Sequence, residues 1–387
     1  MSLNNIENMP IPFNEPAFLS SEIDGLRDVL ENRKNSAGNG FYGKACEKIV
    51  SHLLNGQSEV LLTTSATHAL EMMALLLDLG ANDEVIVPSF TFVSTANAFV
   101  LRGAKVIFAE CDVNGNLCLQ SVRDLIGPKT KAVCVVHYGG FSTDMESLKE
   151  LCDAHNVILL EDAAQAIGGS FKDKALGTWG DLACFSFHET KNISCGEGGA
   201  LVINSKKFLD RAEIIREKGT NRRQFLMGIV DKYSWVDVGS SYILSELNAV
   251  CLHTQLKNIE IIQHKRIALW TRYFESIPQM LTENEFAIGL PEGNKITGHL
   301  FALVLENTEK RARFIEHMRG SRISTPFHYL ALHRSSYAEQ HLGNYQRCAN
   351  YANTDRLAQC LVRLPLFFNM SFEQQNAVIS AVKSFNS

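Results

Sequence analysis

Phe185-Ser186-Phe187-His188-Glu189-Thr190-Lys191-Asn192, closed by Gly196-Glu197-Gly198-Gly199, sets one lysine on a turn between two short apolar strands. The strand-like Leu182 to Phe187 precedes that turn and Ala200-Leu201-Val202-Ile203 follows it, so the stem of Lys191 starts beside buried sheet. An amine held there is partly desolvated and its pKa falls. An amine that is neutral near working pH attacks carbonyls, the chemistry of a lysine that forms a Schiff base. A structural loop lysine remains the alternative while this stretch is read alone.

Upstream, Val157-Ile158-Leu159-Leu160 runs into Glu161-Asp162-Ala163-Ala164-Gln165-Ala166, the pattern of a buried parallel strand that delivers an acid at its C-terminal end. Ligands of open α/β sheets sit at such ends. A buried aspartate without a cation would be costly or would take up a proton. The protonated ring nitrogen of pyridoxal 5'-phosphate is such a cation, and a Schiff-base lysine with an acidic partner for that nitrogen is how proteins hold this cofactor. By itself Asp162 is equally well the N-cap of a following helix, and Gln165 reaches the ring hydroxyl only if the chain turns helical there.

A phosphate cradle is available upstream. Val60-Leu61-Leu62 leads into Thr63-Thr64-Ser65-Ala66-Thr67, after which His68 to Leu77 is apolar at helical spacing, so small hydroxyl residues open a helix just after a strand. Free N–H groups and the dipole at a helix N-terminus bind phosphate, although serine and threonine are also ordinary caps. Val85-Ile86-Val87-Pro88-Ser89-Phe90-Thr91-Phe92 is another buried strand, with an aromatic, Phe92, placed beyond its end to cover a ring or to pack inward.

The order of Ser65-Ala66-Thr67, Pro88-Ser89-Phe90-Thr91-Phe92, His137-Tyr138-Gly139-Gly140, Glu161-Asp162-Ala163-Ala164-Gln165, Ser186-Phe187-His188 with Lys191-Asn192, and Gly196-Glu197-Gly198-Gly199 resembles the DegT family of sugar aminotransferases, from about Pro12 to about Asn369. The resemblance implies a fold-type I, aspartate aminotransferase-like α/β architecture. It also implies pyridoxal 5'-phosphate as cofactor and a homodimer with a shared active site. By position, Lys191 would carry the cofactor and shuttle protons, Asp162 would hold the ring nitrogen, Gln165 the ring hydroxyl, and Phe92 would stack on the ring. Ala66, Thr67 and Ser186 would bind the phosphate, with Ser241 of the second subunit completing the cradle. Most of the family has an asparagine at the position of Ser241 and an arginine two residues on, where this chain has Ile243; Ser241 can still donate one hydrogen bond, and the departure marks a subgroup.

His188-Glu189-Thr190-Lys191-Asn192, Glu217-Lys218-Gly219-Thr220-Asn221-Arg222, Asp231-Lys232-Tyr233 and Gly239-Ser240-Ser241-Tyr242 are most similar to the members that aminate C4 of dTDP-4-keto-6-deoxyglucose. The implied product is dTDP-4-amino-4,6-dideoxygalactose, made from L-glutamate for enterobacterial common antigen or O-antigen. A 3-aminotransferase, a 4-aminotransferase giving the gluco epimer, and a non-catalytic sugar-nucleotide-binding regulator stand as alternatives. A sugar nucleotide demands a cation, an aromatic and several polar groups. Asn221, Arg222 and Tyr233 in one polar segment, and His328 in the C-terminal part, are the candidates.

At 387 residues with 45% hydrophobic content, the chain buries a large core and accommodates two domains. Alternating strand and helix patterns predict a large α/β domain over 12–250 with a mostly parallel seven-stranded sheet, strands falling at 60–62, 84–88, 105–109, 132–136, 157–160, 183–187 and 200–203. A single long helix running from about 246 to Pro278 would link it to a small α+β domain within 251–387, in which Ile323-Ser324-Thr325-Pro326-Phe327 reads as a strand. The first thirty residues are expected to pack on that small domain. A net charge of −5 gives no basic face and argues against nucleic acid. Ten cysteines without CxxC pairs, and no histidine cluster at metal spacing, point to a reducing cytoplasm, no disulfide and no metal site. The polar N-terminus is not read as a signal peptide, and the most apolar stretch, 69–79, is too short for membrane insertion.

Overall fold

Seven short apolar runs become strands because each buries both of its faces. The computed structural model describes residues 10–343 and 346–385. Its main sheet has the spatial order Glu59–Thr63, Gly199–Ile203, Leu182–Ser186, Ile158–Asp162, Thr130–Val136, Glu84–Pro88, Lys105–Ala109. The strand from Leu182 to that from Lys105 are joined by parallel ladders, and the two at the other edge pair antiparallel. Successive side chains point to opposite sides of a sheet, and here they feed two separate cores. Val60, Ile86, Val133, Leu159, Phe185 and Val202 pack under helices Phe41–Leu53, Met145–Ala154 and Glu246–Lys257. Leu61, Val87, Cys134, Leu160, Cys184 and Leu201 pack under Ala66–Leu76, Val93–Val100 and Leu209–Arg216.

The expected long helix after Ser245 is two helices, Glu246–Lys257 and Ile259–Ser276. Asn258 breaks the run at φ −110°, ψ 15°, its side-chain amide donating back to the Thr254 carbonyl at 2.8 Å. A short polar side chain that bonds neighbouring backbone competes with helix continuation, and the apolar periodicity alone does not register that break. The first helix packs on the large sheet's core through Val250, Leu252 and Leu256. The second carries Leu269, Trp270 and Tyr273 into another core, built around the antiparallel strands Phe286–Ala287, Phe301–Val304 and Leu361–Leu364.

Ile323 to Phe327 is not a strand. It is an extended connection that forms an isolated bridge between Ile323 and Ile11 and accepts from Arg363 N–H at Pro326 O at 3.0 Å, and Pro326, lacking an N–H, suits it to a covering position. Ile11 and Phe13 therefore lie along the C-terminal unit, Phe13 O accepting from Leu366 N at 3.4 Å, while the Glu22 carboxylate reaches Gln255 on the large-sheet side at 2.7 Å. All ten cysteines carry free thiols. Among the described residues, no helix is long and apolar enough to cross a membrane, and no three His, Cys, Asp or Glu side chains cluster as a metal site would need.

Candidate active site

Parallel strands that end side by side leave a crevice at their carboxyl ends, the usual ligand position in such sheets. A cavity of about 440 Å³ opens there, between the main sheet and the C-terminal unit. Its lining brings together Lys191, Asp162, Gln165, Phe92, Ala66, Thr67, Ser186 and His328, residues up to 262 positions apart in the chain.

Lys191 stands on the turn after the Leu182–Ser186 strand, as its flanking apolar runs predict. Burial pulls its amine down to about 8, against the opposing pull of the Asp162 carboxylate, which favours the charged form. Asp162 closes its strand and is 6% exposed. Its Oδ2 accepts from the Thr95 hydroxyl at 2.7 Å and its Oδ1 from Ala164 N–H at 3.2 Å. The chain does not turn helical after Asp162: 163–169 is a run of turns, so the carboxylate caps a turn instead of a helix. Gln165, in that turn, accepts from Gly139 N–H through Oε1 and donates through Nε2 to the Tyr329 hydroxyl, both at 2.8 Å.

A concave site at the start of the Ala66–Leu76 helix depends on a close approach of backbones. Ser65 caps the Ala66–Leu76 helix, its hydroxyl accepting from His68 N–H at 3.1 Å, which leaves the N–H groups of the first turn directed out of the helix end. Gly199 pairs with Ser186 on one side and Thr63 on the other. A Cβ on Gly199 would lie 2.3 Å from the Ser65 carbonyl carbon and 2.4 Å from Ala66 N. Only glycine lets the Ser186 hydroxyl and the helix start share one concave anion site. Phe92, 56% exposed, covers the other side of the cavity with its ring centroid 6.2 Å from that of Tyr329. The donor set therefore fits pyridoxal 5'-phosphate: a phosphate cradle, a desolvated amine for the aldehyde, a buried carboxylate for the ring nitrogen and an aromatic face for the ring.

Ser241, Asn221, Arg222 and Tyr233 do not line this cavity. Ser241 is exposed and bridges Glu217 through backbone. Arg222 lines a second, more open cavity of about 880 Å³ and pairs with Glu217 at 3.1 Å. Asn221 is buried, holding Ser234 N–H through Oδ1 at 2.8 Å, and Tyr233 is exposed. Cys195, beside the glycines, is a buried turn residue whose thiol donates to the Glu197 carbonyl at 3.4 Å, and burial pushes its pKa up, away from a reactive thiolate.

Thr95, His299 and Arg363 lie outside the sequence motifs. Thr95 stands one turn beyond Thr91 and carries no mark in one dimension of its bond to Asp162. His299 lines the cavity with Nδ1 at 3.0 Å from Asn192 Oδ1, and burial together with the Lys191 charge keeps it neutral. Arg363 is the readable one: a lone cation in the apolar run Leu361-Val362-Arg363-Leu364. His328 is likewise kept neutral by burial and the charge of Arg363, its Nδ1 2.7 Å from the Tyr138 hydroxyl.

Residues 19–383 match the DegT/DnrJ/EryC1/StrS aminotransferase family. The chain belongs to that family. It is a pyridoxal phosphate-dependent sugar aminotransferase. Among solved structures, this aminotransferase is similar to the aminotransferase TlmJ from Streptoalloteichus hindustanus, at 26% identity over 97% of this chain and 99% of that one, with a TM-score of 0.87. It is similar to S. venezuelae DesV, a structure in complex with a ketimine intermediate, at 25% identity over 98% and 99%, TM-score 0.87. Helicobacter pylori PseC, an aminotransferase involved in the biosynthesis of pseudoaminic acid, shares the fold at 22% identity over 97% and 99%, TM-score 0.88.

Proposed function

We propose that the aminotransferase moves the amino group of L-glutamate to C4 of dTDP-4-keto-6-deoxyglucose, giving dTDP-4-amino-4,6-dideoxygalactose for a bacterial surface polysaccharide. It would work in the cytoplasm as a homodimer. The observation that carries the transamination is the convergence of Lys191, Asp162 and the Ser65–Ala66/Ser186/Gly199 cradle on one cavity. The choice of sugar rests on the likeness of His188-Glu189-Thr190-Lys191-Asn192 and of the 217–242 motifs to C4-specific members.

Bound pyridoxal phosphate supplies an aldehyde that takes up the amine and a ring that draws electrons from the carbon losing its proton. Asp162 keeps the proton on the ring nitrogen, held in place by Thr95 and Ala164. Lys191 Nζ, with a pKa of about 8, is suited both to release a proton and to take one up near neutrality, so it moves the proton at the carbon bearing the amine. Gln165 keeps one N–H of Nε2 for the ring oxygen after its bond to Tyr329.

A homodimer has a physical motive. The 217–241 segment exposes Phe225, Leu226, Met227, Ile229, Trp235 and Val238, a patch that a second copy would cover. Ser241 stands at the end of that segment, which favours its service to the partner's cradle rather than its own.

Incubation of the enzyme with cofactor, L-glutamate and dTDP-4-keto-6-deoxyglucose, followed by proton NMR of the sugar product, tests the reading. Small couplings at H4 report the axial amine of the galacto product. Large couplings would assign the gluco epimer, and absence of amino sugar would move the enzyme to a 3-keto sugar or another nucleotide.

A further inference from the structure

We infer that Arg363 is the carboxylate receptor for the amino donor, fixing the carboxylate on the carbon that carries the amine. This rests on the aminotransferase reading above and adds a residue to it.

Two arginines flank the cavity, Arg266 buried and Arg363 half-buried, and they differ in how they are satisfied. Arg266 donates to the carbonyls of Gly298, His299 and Leu366 at 2.9, 2.8 and 3.1 Å, so its guanidinium is consumed in pinning two segments of the cavity wall. Arg363 lines the cavity itself and has one side-chain bond, from Nη2 to the Phe327 carbonyl at 2.9 Å. Its Nε is buried with no acceptor among the described residues, and no carboxylate there lies within ion-pair distance of it. Phe13 covers one face, with Cζ 4.2 Å from the ring centroid. Burial pulls its pKa down, and the phenols of Tyr138 and Tyr329 are the nearby groups that favour its charge.

A half-buried cation with no ion-pair partner favours an anion beside it, and Nη1 together with the remaining N–H of Nη2 can meet a carboxylate in two bonds. The charge of Arg363 is close enough to Lys191 to help depress the amine. An amino acid delivering its nitrogen to the place Lys191 occupies has one carboxylate, attached to that same carbon, that travels this deep. The phosphates of a sugar nucleotide are several bonds removed from the reacting carbon and reach outward to the mouth.

The test uses the holoenzyme and the Arg363→Ala and Arg363→Lys variants. Titration with L-glutamate in the absence of sugar, followed by the visible absorption of the cofactor, should show a loss of apparent affinity of about 10- to 100-fold in Arg363→Ala. Arg363→Lys, keeping the charge and losing the fork, should fall between. 4-Aminobutanoate, which is glutamate without that carboxylate, should react equally with all three proteins. Calorimetry with glutarate, a dicarboxylate with no amine, should show binding to wild type weakened in Arg363→Ala. The Michaelis constant for the sugar nucleotide should stay the same, and unchanged far-ultraviolet circular dichroism confirms folding. An unaltered glutamate titration, or a loss confined to the sugar nucleotide, overturns the assignment, the latter marking a phosphate receptor. Failure of wild type to react with any amino acid would instead strike the aminotransferase reading, while the glutarate measurement still decides the role of Arg363.

Discussion

Asp162 and Lys191 line the same cavity, and the carboxylate's charge props up an amine that burial has drawn down to about 8. Neither residue is set for its task alone. The aspartate keeps the lysine from falling further, and the buried position makes the lysine a usable base near neutrality.

That balance gives a pH dependence to cofactor capture. The neutral amine is the attacking form, so below about 8 each unit of acid should slow the uptake of pyridoxal phosphate by apoenzyme about tenfold, with a plateau above it. The uptake rate measured by absorbance from pH 6 to about 11 checks the midpoint. A midpoint near 10.5 would mean that Lys191 is as solvated as a surface lysine.

Removing the aspartate's charge should act twice. Asp162→Asn would remove the proposed partner of the ring nitrogen, which on the scale of a broken buried pair, about 3–5 kcal/mol, should lower turnover about 100- to 5,000-fold. The same change should move the midpoint of cofactor capture downward, since the Asp162 charge raises the Lys191 pKa. Lys191→Ala should retain pyridoxal phosphate through the proposed phosphate cradle yet lose about 10²- to 10⁴-fold in turnover. Appreciable transamination by that variant would remove Lys191 from its role.

Gly199→Ala places a methyl against the Ser65 carbonyl carbon and Ala66 N, and backbone must shift to admit it. Overpacking of this kind costs about 1–3 kcal/mol. The expected result is a dissociation constant for pyridoxal phosphate raised about tenfold with that for pyridoxal, which lacks the phosphate, unchanged. Equal weakening of both would show that the damage is not at the cradle.

A shared site predicts complementation. Mixing Lys191→Ala subunits with subunits carrying Ser241→Trp should restore about a quarter of wild-type turnover, because half of the dimers are mixed and each holds one intact site. No recovery, with mixed dimers verified by native mass spectrometry, would place Ser241 outside the partner's site.

The strands, the turn that holds Lys191 and the acid at the end of Ile158–Asp162 are legible in one dimension because they follow local rules. A buried parallel strand needs an unbroken apolar run, a helix start needs a cap, and a close backbone approach needs glycine. The Asn258 break and the covering role of 323–327 are not legible, since side-chain bonding at Asn258 and pairing with Ile11 override the local periodicity.

The chemistry on offer is written along the chain: a lysine, an aspartate, a hydroxyl-rich helix start and a glycine turn, in a fixed order along alternating strands and helices. Long-range packing sets Thr95 against Asp162 and Tyr329 against Gln165, and it puts Arg363 in the cavity wall with a single side-chain bond while Arg266 is consumed in holding that wall. The physical reason is range. Strand and cap preferences act over a few residues, whereas desolvation, a shifted pKa and an unspent hydrogen-bond donor depend on groups brought together from distant parts of the chain.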